Sequence, residues 1–462
     1  MKNIYKRISI RLKKQYKKMS KIRSSIKSKT AKTLIKDEKL ENLSNILKSP
    51  PPQMKKFTDE FSNNYNKIIS KTPIISEKQF RKLSDSEFLN SNNLSMNILL
   101  KQYEKYPIGE IIKLKSTTTI KSISYNSYHG LIKEDNEDRI SIKSLIKKPN
   151  NSKFRVWPKM SYFAIFDGHG GELCSSFLKK NFLNYLIEDK NYPNDIKESL
   201  LNTIKKIEKE FNNKYVDILN NNIDFSGSCA LILLIIENKI YIANVGDSRA
   251  IISLNQGNKI YPLTIDHKPN NPKEFERIIK IGGKVYIDQD DDERDINKLK
   301  VINNLSDFDK YLEEPNIIYR IYPCHLAVSR TIGDIKAKDT SYGGIHNEII
   351  SIPDIYIVDI NSNMDFIIMG CDGIFDNLSN NDIIECAWFA IDNVTKERKY
   401  DINFITLDVC NMIIKNAMDK LSSDNLSVIV IGLEGLEKYI TNKKSKDSKD
   451  KINSINSDIK KK

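Results

Sequence analysis

The sequence predicts an α+β fold in which antiparallel sheets carry helices. Three observations lead there. Apolar runs of strand length alternate with longer stretches of helical periodicity between residues 109 and 436. Two of those runs, Cys229 to Ile236 and Ile240 to Val245, are joined only by Glu237-Asn238-Lys239, a hairpin pattern that favours antiparallel pairing over a parallel crossover. All 17 glycines lie between Gly109 and Gly435, and glycine serves the tight turns and close backbone approaches of a folded domain.

In chain order, residues 1–108 form a glycine-free arm rich in Lys, Asn and Ser, broken at Ser49-Pro50-Pro51-Pro52. Its first 36 residues hold 14 Lys and Arg and no acid. The remaining 60 basic residues balance all 60 acidic ones, so the net charge of +14 belongs to the N-terminus. Residues 37–441 hold 52 basic against 57 acidic residues, which gives no reason to expect specific nucleic-acid binding by the body. Ile4, Ile8, Leu12, Tyr16, Met19, Ile22 and Ile26 recur at spacings of three and four, the pattern of a basic amphipathic helix over 4–26. Residues 1–36 are compatible with an anionic membrane surface, an organelle address or a solvated arm.

Tyr162 to Phe166 reads as a buried strand, and Glu172 to Glu188 and Asp195 to Leu219 as helices. After the hairpin, Asp365 to Met369 and Leu426 to Leu433 are strands, with helices over Asp382 to Val394 and Phe404 to Leu421. The domain spans 109–436, and 437–462 is a basic C-terminal tail. No apolar run reaches the ~18 residues of a membrane span. The six dispersed cysteines suit a reducing compartment, and with no secretory segment in view the protein is expected to be intracellular, cytoplasmic or membrane-associated through its basic start.

Chemistry gathers where apolar strands run into acids. Phe163-Ala164-Ile165-Phe166 leads to Asp167-Gly168-His169-Gly170-Gly171; Ile242-Ala243-Asn244-Val245 leads to Gly246-Asp247; Phe366-Ile367-Ile368-Met369 leads to Gly370-Cys371-Asp372-Gly373. Asp424 stands just before a strand, and Lys133-Glu134-Asp135-Asn136-Glu137-Asp138 precedes another. A single Asp-Gly after a strand is an ordinary turn. Several carboxylates converging without multiple His or Cys offer hard oxygen ligands, which suit Mg²⁺ or Mn²⁺ and disfavour zinc.

Asp167-Gly168-His169-Gly170-Gly171, Ser226-Gly227-Ser228-Cys229-Ala230, Val245-Gly246-Asp247-Ser248-Arg249, Asp266-His267-Lys268-Pro269, Leu326 through Asp334, Cys371 through Asp376 and Ser423 through Ser427 occur in this order. Over Tyr125 to Gly435 the chain thereby resembles the metal-dependent, type 2C serine/threonine protein phosphatases. The resemblance implies a central antiparallel β-sandwich flanked by helices on both outer faces, with two Mn²⁺ or Mg²⁺ ions at one end. It implies that Asp167 bridges both ions, that the Gly168 carbonyl and Glu137 bind one, that Asp372 and Asp424 hold the other, and that Asp138 holds metal-bound waters. Asp247 matches a ligand of a third, weaker position. His169 matches the residue that protonates the leaving alkoxide, or else a hydrogen-bonded neighbour of the site. A hydroxide bridging the two ions would attack phosphoserine or phosphothreonine in a protein substrate directly, without a phosphoenzyme, and the enzyme would work as a monomer.

Two departures stand out. Lys133 replaces the usual Arg that grips the phosphate, a point charge in place of a bidentate fork. Cys229 replaces the usual Thr and reads as a buried strand residue. An acidic insertion over about 286–316 opens with Asp288-Gln289-Asp290-Asp291-Asp292-Glu293-Arg294-Asp295, but Glu293 and Leu299 fail the calcium-loop positions, leaving a solvated insertion or a dock for basic substrates. The rival functions are a silent phosphatase-fold scaffold, a metal-dependent nuclease or cyclic phosphodiesterase, and a binding arm with the domain as cargo.

Overall fold

The computed structural model describes residues 107–114, 119–149, 156–217, 222–288, 300–302 and 317–460. The arm expected over 1–108, except for its last two residues, and with it the helix at 4–26 and the candidate membrane surface of 1–36, lies outside the described residues. So do 289–299 and 303–316 of the acidic insertion.

In chain order the strands up to the first helices are β1 (Glu110–Ile111), β2 (Ser122–Tyr128), β3 (Arg139–Lys143), β4 (Met160–Phe166) and β5 (Gly168–His169). Helices α1 (Leu173–Glu188) and α2 (Ile196–Tyr215) follow, then β6 (Val216–Asp217), β7 (Asn222–Ile223), β8 (Gly227–Ser228), β9 (Ala230–Ile236), β10 (Lys239–Val245), β11 (Arg249–Leu254) and β12 (Lys259–Pro262). Next come α3 (Pro272–Lys280), β13 (Lys284–Asp288), β14 (Lys300–Ile302), β15 (Ile318–Tyr322), β16 (Ile332–Gly333) and α4 (Ile335–Lys338). The chain ends with β17 (Asp354–Asp359), β18 (Met364–Gly370), α5 (Asp372–Phe375), α6 (Asn380–Lys396), α7 (Ile402–Asp419), β19 (Leu426–Gly432) and α8 (Glu434–Lys460).

Among the described residues two antiparallel sheets dominate, one ordered β1-β2-β19-β18-β11-β12 and the other β17-β10-β9-β4-β3. The hairpin expected at Glu237-Asn238-Lys239 joins β9 to β10, with Glu237 at φ +53° in the turn. Strand β4 shows how the layers stack. Its alternate residues Met160, Tyr162, Ala164 and Phe166 pack with Leu178, Phe182, Leu200 and Ile204 of α1 and α2. The intervening Phe163 and Ile165 are fully buried too and point the opposite way, because strand side chains alternate faces. Strands β18 and β19 are likewise buried throughout, and α7 lies on β2 and β19 while α8 lies on β18. Strands apolar on both faces can only sit in a middle layer, so the sheets form the inside of a sandwich and the helices its two outer faces.

A smaller unit sits beside the sandwich. Helix α3 starts at Pro272, behind an Asn271 side chain that accepts from the Lys273 N–H, and packs on the three-stranded sheet β14-β13-β15 through Phe275, Ile278, Val285, Ile287 and Ile321. Tyr286 to Asp288, placed in the insertion from sequence, complete its central strand.

Two boundaries differ from expectation. The second helix stops at Tyr215, where Val216–Asp217 turns into a short strand paired with Asn222–Ile223. The border at 436 falls inside α8, because Leu436 and Ile440 are buried and Tyr439 meets Trp388 edge-on at 5.1 Å. Lys443 Nζ also reaches Asp392 Oδ1 at 2.8 Å, so the first turns of the expected tail pack on the domain.

Candidate metal centre

Antiparallel pairing places the end of one strand beside the start of its neighbour, and that brings the acids together. The register Arg139↔Phe166 sets Asp138 next to Asp167. The register Arg249↔Gly370 sets the Gly246–Ser248 turn beside Cys371 and Asp372, and Gly370↔Val428 does the same for the segment before β19 that carries Asp424. One end of the sandwich thus collects acids from five separate stretches of chain. Glycine permits the tightest approaches. A Cβ at Gly168 would lie 2.4 Å from the Glu137 carbonyl oxygen, and one at Gly246, where φ is +107°, would lie 2.2 Å from Cys229 Sγ.

Ligand atoms of Asp167, Asp247 and Asp372 lie within 4.8 Å of one another, as do those of Asp138, Asp167 and Cys371. Asp167 Oδ2 accepts from the Asp372 N–H at 3.3 Å and the Ser248 hydroxyl at 3.4 Å. Asp247 receives the Cys229 thiol at 3.4 Å and faces Lys268 Nζ at 3.6 Å, while Lys268 also pairs with Asp376. Glu137 and Asp424 stand outside both groups and are held by Lys133, whose Nζ is 3.4 Å from Glu137 Oε2 and 3.0 Å from Asp424 Oδ1. The Gly171 N–H donates to Glu137 Oε1 at 2.7 Å. His169 Nε2 meets Asp334 Oδ2 at 2.8 Å.

The electrostatics are those of a site built for cations. Burial, followed by repulsion from neighbouring carboxylates, pushes Asp167 and Asp372 well above the carboxylate range. Burial lifts Asp138 to about 6 and also raises Asp247, against the opposing pull of Lys268. Asp138 Oδ2 is buried without a hydrogen-bond partner. Crowded carboxylates with an orphaned oxygen match the all-oxygen donor set that hard divalent ions take, and a bound cation would reverse the mutual repulsion. Cys371 does not change that assignment. Burial keeps its thiol neutral, and the sulfur is engaged with the Asn425 carbonyl at 3.3 Å and the Ser427 N–H at 3.1 Å. At His169 burial works against the imidazolium, but the Asp334 carboxylate outweighs it and the pKa is raised.

Several participants were not singled out from sequence. Asp334 lay within a recognised run, yet its partnership with His169 spans 165 positions. Asn425 pins the acidic loop, accepting from the Glu137 N–H at 2.9 Å and donating to the His129 and Asp135 carbonyls. Lys268 and Asp376, also inside recognised motifs, form the cationic and anionic edge beside Asp247.

The family Protein phosphatase 2C matches residues 130–426, more than half of the chain. The chain belongs to that family. Probable protein phosphatase 2C 4 of Paramecium tetraurelia is 29% identical over 287 residues, which cover 60% of this chain and 83% of the relative. Probable protein phosphatase 2C 2 of the same organism is 31% identical over 237 residues, covering 49% and 67%. Human Protein phosphatase 1B is 27% identical, covering 62% of this chain and 54% of its own. Among solved structures, one titled as a C. elegans sex determining protein superposes with a TM-score of 0.50 at 20% identity, over 80% of this chain and 81% of that one, a likeness of fold. As a member of the protein phosphatase 2C family, the chain is a metal-dependent protein-serine/threonine phosphatase, and its substrates are phosphoproteins.

Proposed function

We propose that the acidic end of the sandwich holds two Mn²⁺ or Mg²⁺ ions and hydrolyses phosphoserine and phosphothreonine by direct attack of water-derived hydroxide. The observation that carries this is the cluster Asp167, Asp247 and Asp372 beside Asp138, with Asp247 and Asp138 buried and Asp167 and Asp372 half-buried, in which desolvation and mutual repulsion oppose ionisation. Asp167 would be shared between the ions, with Glu137 and the Gly168 carbonyl completing one position, Asp372 and Asp424 the other, and Asp247 a weaker third. Bound there, divalent ions supply an activated nucleophile and neutralise charge on the phosphoryl oxygens.

The chain's own residues do the rest. Lys133 holds Glu137 and Asp424 in place and presents an ammonium to the phosphate. Asp334 engages Nε2 of His169 and stabilises its imidazolium, which leaves Nδ1 as the atom from which a proton can pass to the departing serine or threonine oxygen. Asn425 fixes the loop that carries Glu137 and Asp138.

The deciding experiment is hydrolysis of a phosphothreonine peptide with Mn²⁺, with Mg²⁺ and with chelator, on the wild type and on Asp167→Asn and Asp372→Asn. Each substitution removes ligand charge while keeping shape, so kcat/KM is expected to fall by roughly two powers of ten or more. Chelator-resistant turnover, or near-normal rates in both variants, would refute the assignment.

A further inference from the structure

We propose that Phe225 and Tyr342, with Lys336 beside them, form a substrate subsite that takes a large apolar side chain within two residues of the phosphorylated serine or threonine. The inference rests on the phosphatase reading above and adds a sequence preference to it. Phe225 is 45% exposed, so its ring is accessible from solvent. It is nonetheless ordered by its neighbours. The Tyr342 ring meets it edge-on with centroids 5.9 Å apart, and Lys336 Nζ lies 6.0 Å from its centroid.

The location gives the pair its meaning. His169 pairs with Gly227 across β5 and β8, so Phe225 stands two residues, or about 7 Å of extended chain, from the partner of His169. A Cβ built on Gly170 would lie 3.7 Å from the Phe225 carbonyl oxygen. On the other side, the Asp334 N–H donates to the Ser226 carbonyl, and the chain runs from Asp334 through α4 to the turn Thr340–Tyr342. Both segments that hold His169 therefore carry one ring of the pair. His169 marks the side of the site from which the serine or threonine oxygen departs, and the peptide attached to that oxygen must extend there. Lys336 is exposed and sets an ammonium at the edge of the ring pair.

An extended peptide advances by about 3.3 Å per residue, so a side chain one or two positions from the phosphoresidue spans the gap to the rings. A pre-ordered pair loses little freedom on receiving it. The test is a set of phosphothreonine peptides, alanine-flanked and differing only by Phe or Ala at each of the two positions on either side, assayed with Mn²⁺. One position is expected at which Phe raises kcat/KM about five- to tenfold, expressed in KM. In Phe225→Ala the Phe-to-Ala ratio is expected to fall close to one, and in Phe225→Leu to survive in part; a ratio taken within one variant is insensitive to how much enzyme folds. The same ratio in wild type and Phe225→Ala, or no position that prefers Phe, overturns the subsite alone. No hydrolysis of any peptide by the wild type overturns the phosphatase reading and the subsite with it.

Discussion

Lys133 joins two acids that the resemblance assigns to different ions, sitting 3.0 Å from Asp424 Oδ1 and 3.4 Å from Glu137 Oε2. Burial disfavours its charge, but these carboxylates more than compensate and its pKa is raised, so it stays cationic through the working pH range. A lysine in this position binds phosphate as a point charge, whereas an arginine would present two parallel donors. Lys133→Arg is therefore expected to lower KM for a phosphothreonine peptide by about threefold to tenfold while kcat is kept, read from steady-state kinetics at fixed Mn²⁺. If neither Lys133→Arg nor Lys133→Ala moves KM, the residue serves only to hold its two acids. Cys229 behaves as expected from the sequence: it is buried, its thiol pKa lies far above neutrality, and it donates to Asp247.

The small unit around α3 and β13–β15 carries its charge inside. Glu274 is buried, yet Arg330 and then Arg277 outweigh burial and hold its pKa at about 2; it binds both guanidiniums and the Ser329 hydroxyl. Glu348 is the opposite case. It is fully buried against Gly283, whose Cβ would lie 2.7 Å from Oε1, and burial lifts its pKa to about 8 against weaker opposing effects of the Lys284 backbone and Arg277. A carboxyl that titrates near 4.3 when unfolded and near 8 when folded binds a proton only in the native state across that window. Its contribution is complete below about pH 4.3 and is lost as pH rises through 8. Tm is accordingly expected to fall between pH 5 and 8, by an amount on the order of a few kcal/mol in stability, and Glu348→Gln to flatten that slope. Parallel Tm–pH curves for wild type and Glu348→Gln would show that the carboxyl is ionised in the fold.

At the scale of the whole molecule, the charge excess of residues 1–36 is separate from the catalytic machinery, every candidate ligand of which lies at or beyond Lys133. We propose that the Ile4-Ile8-Leu12 stripe and its basic flanks bind anionic membranes. Deleting residues 1–48 is expected to preserve phosphopeptide hydrolysis and abolish cosedimentation with anionic vesicles. Each basic residue near such a surface contributes about 1 kcal/mol, and salt screens that attraction, so the intact chain should bind at low ionic strength and release as it rises. Equal sedimentation with neutral and anionic vesicles would leave the arm without an electrostatic role. The sequence by itself determined the family, the five strands and four helices with the strongest apolar pattern, and the strand ends that bear Asp167, Asp247 and Asp372, because strand periodicity and Asp-Gly turns are local properties of a few consecutive residues; α3 and the strands from β11 to β17 were not legible in it. Helix ends were less legible: Tyr215 and the crossing of residue 436 depend on what each segment packs against. Only the tertiary structure decided which distant groups meet. The registers Arg139↔Phe166 and Arg249↔Gly370, each anchored on one strand that is buried throughout, β4 and β18, bring Asp138 to Asp167 and Asp247 to Asp372. The link from His169 to Asp334 and the placing of Phe225 beside Tyr342 follow from the separate pairing of β8 with β5 and β16, and contacts across more than a hundred residues leave no periodicity for a sequence to display.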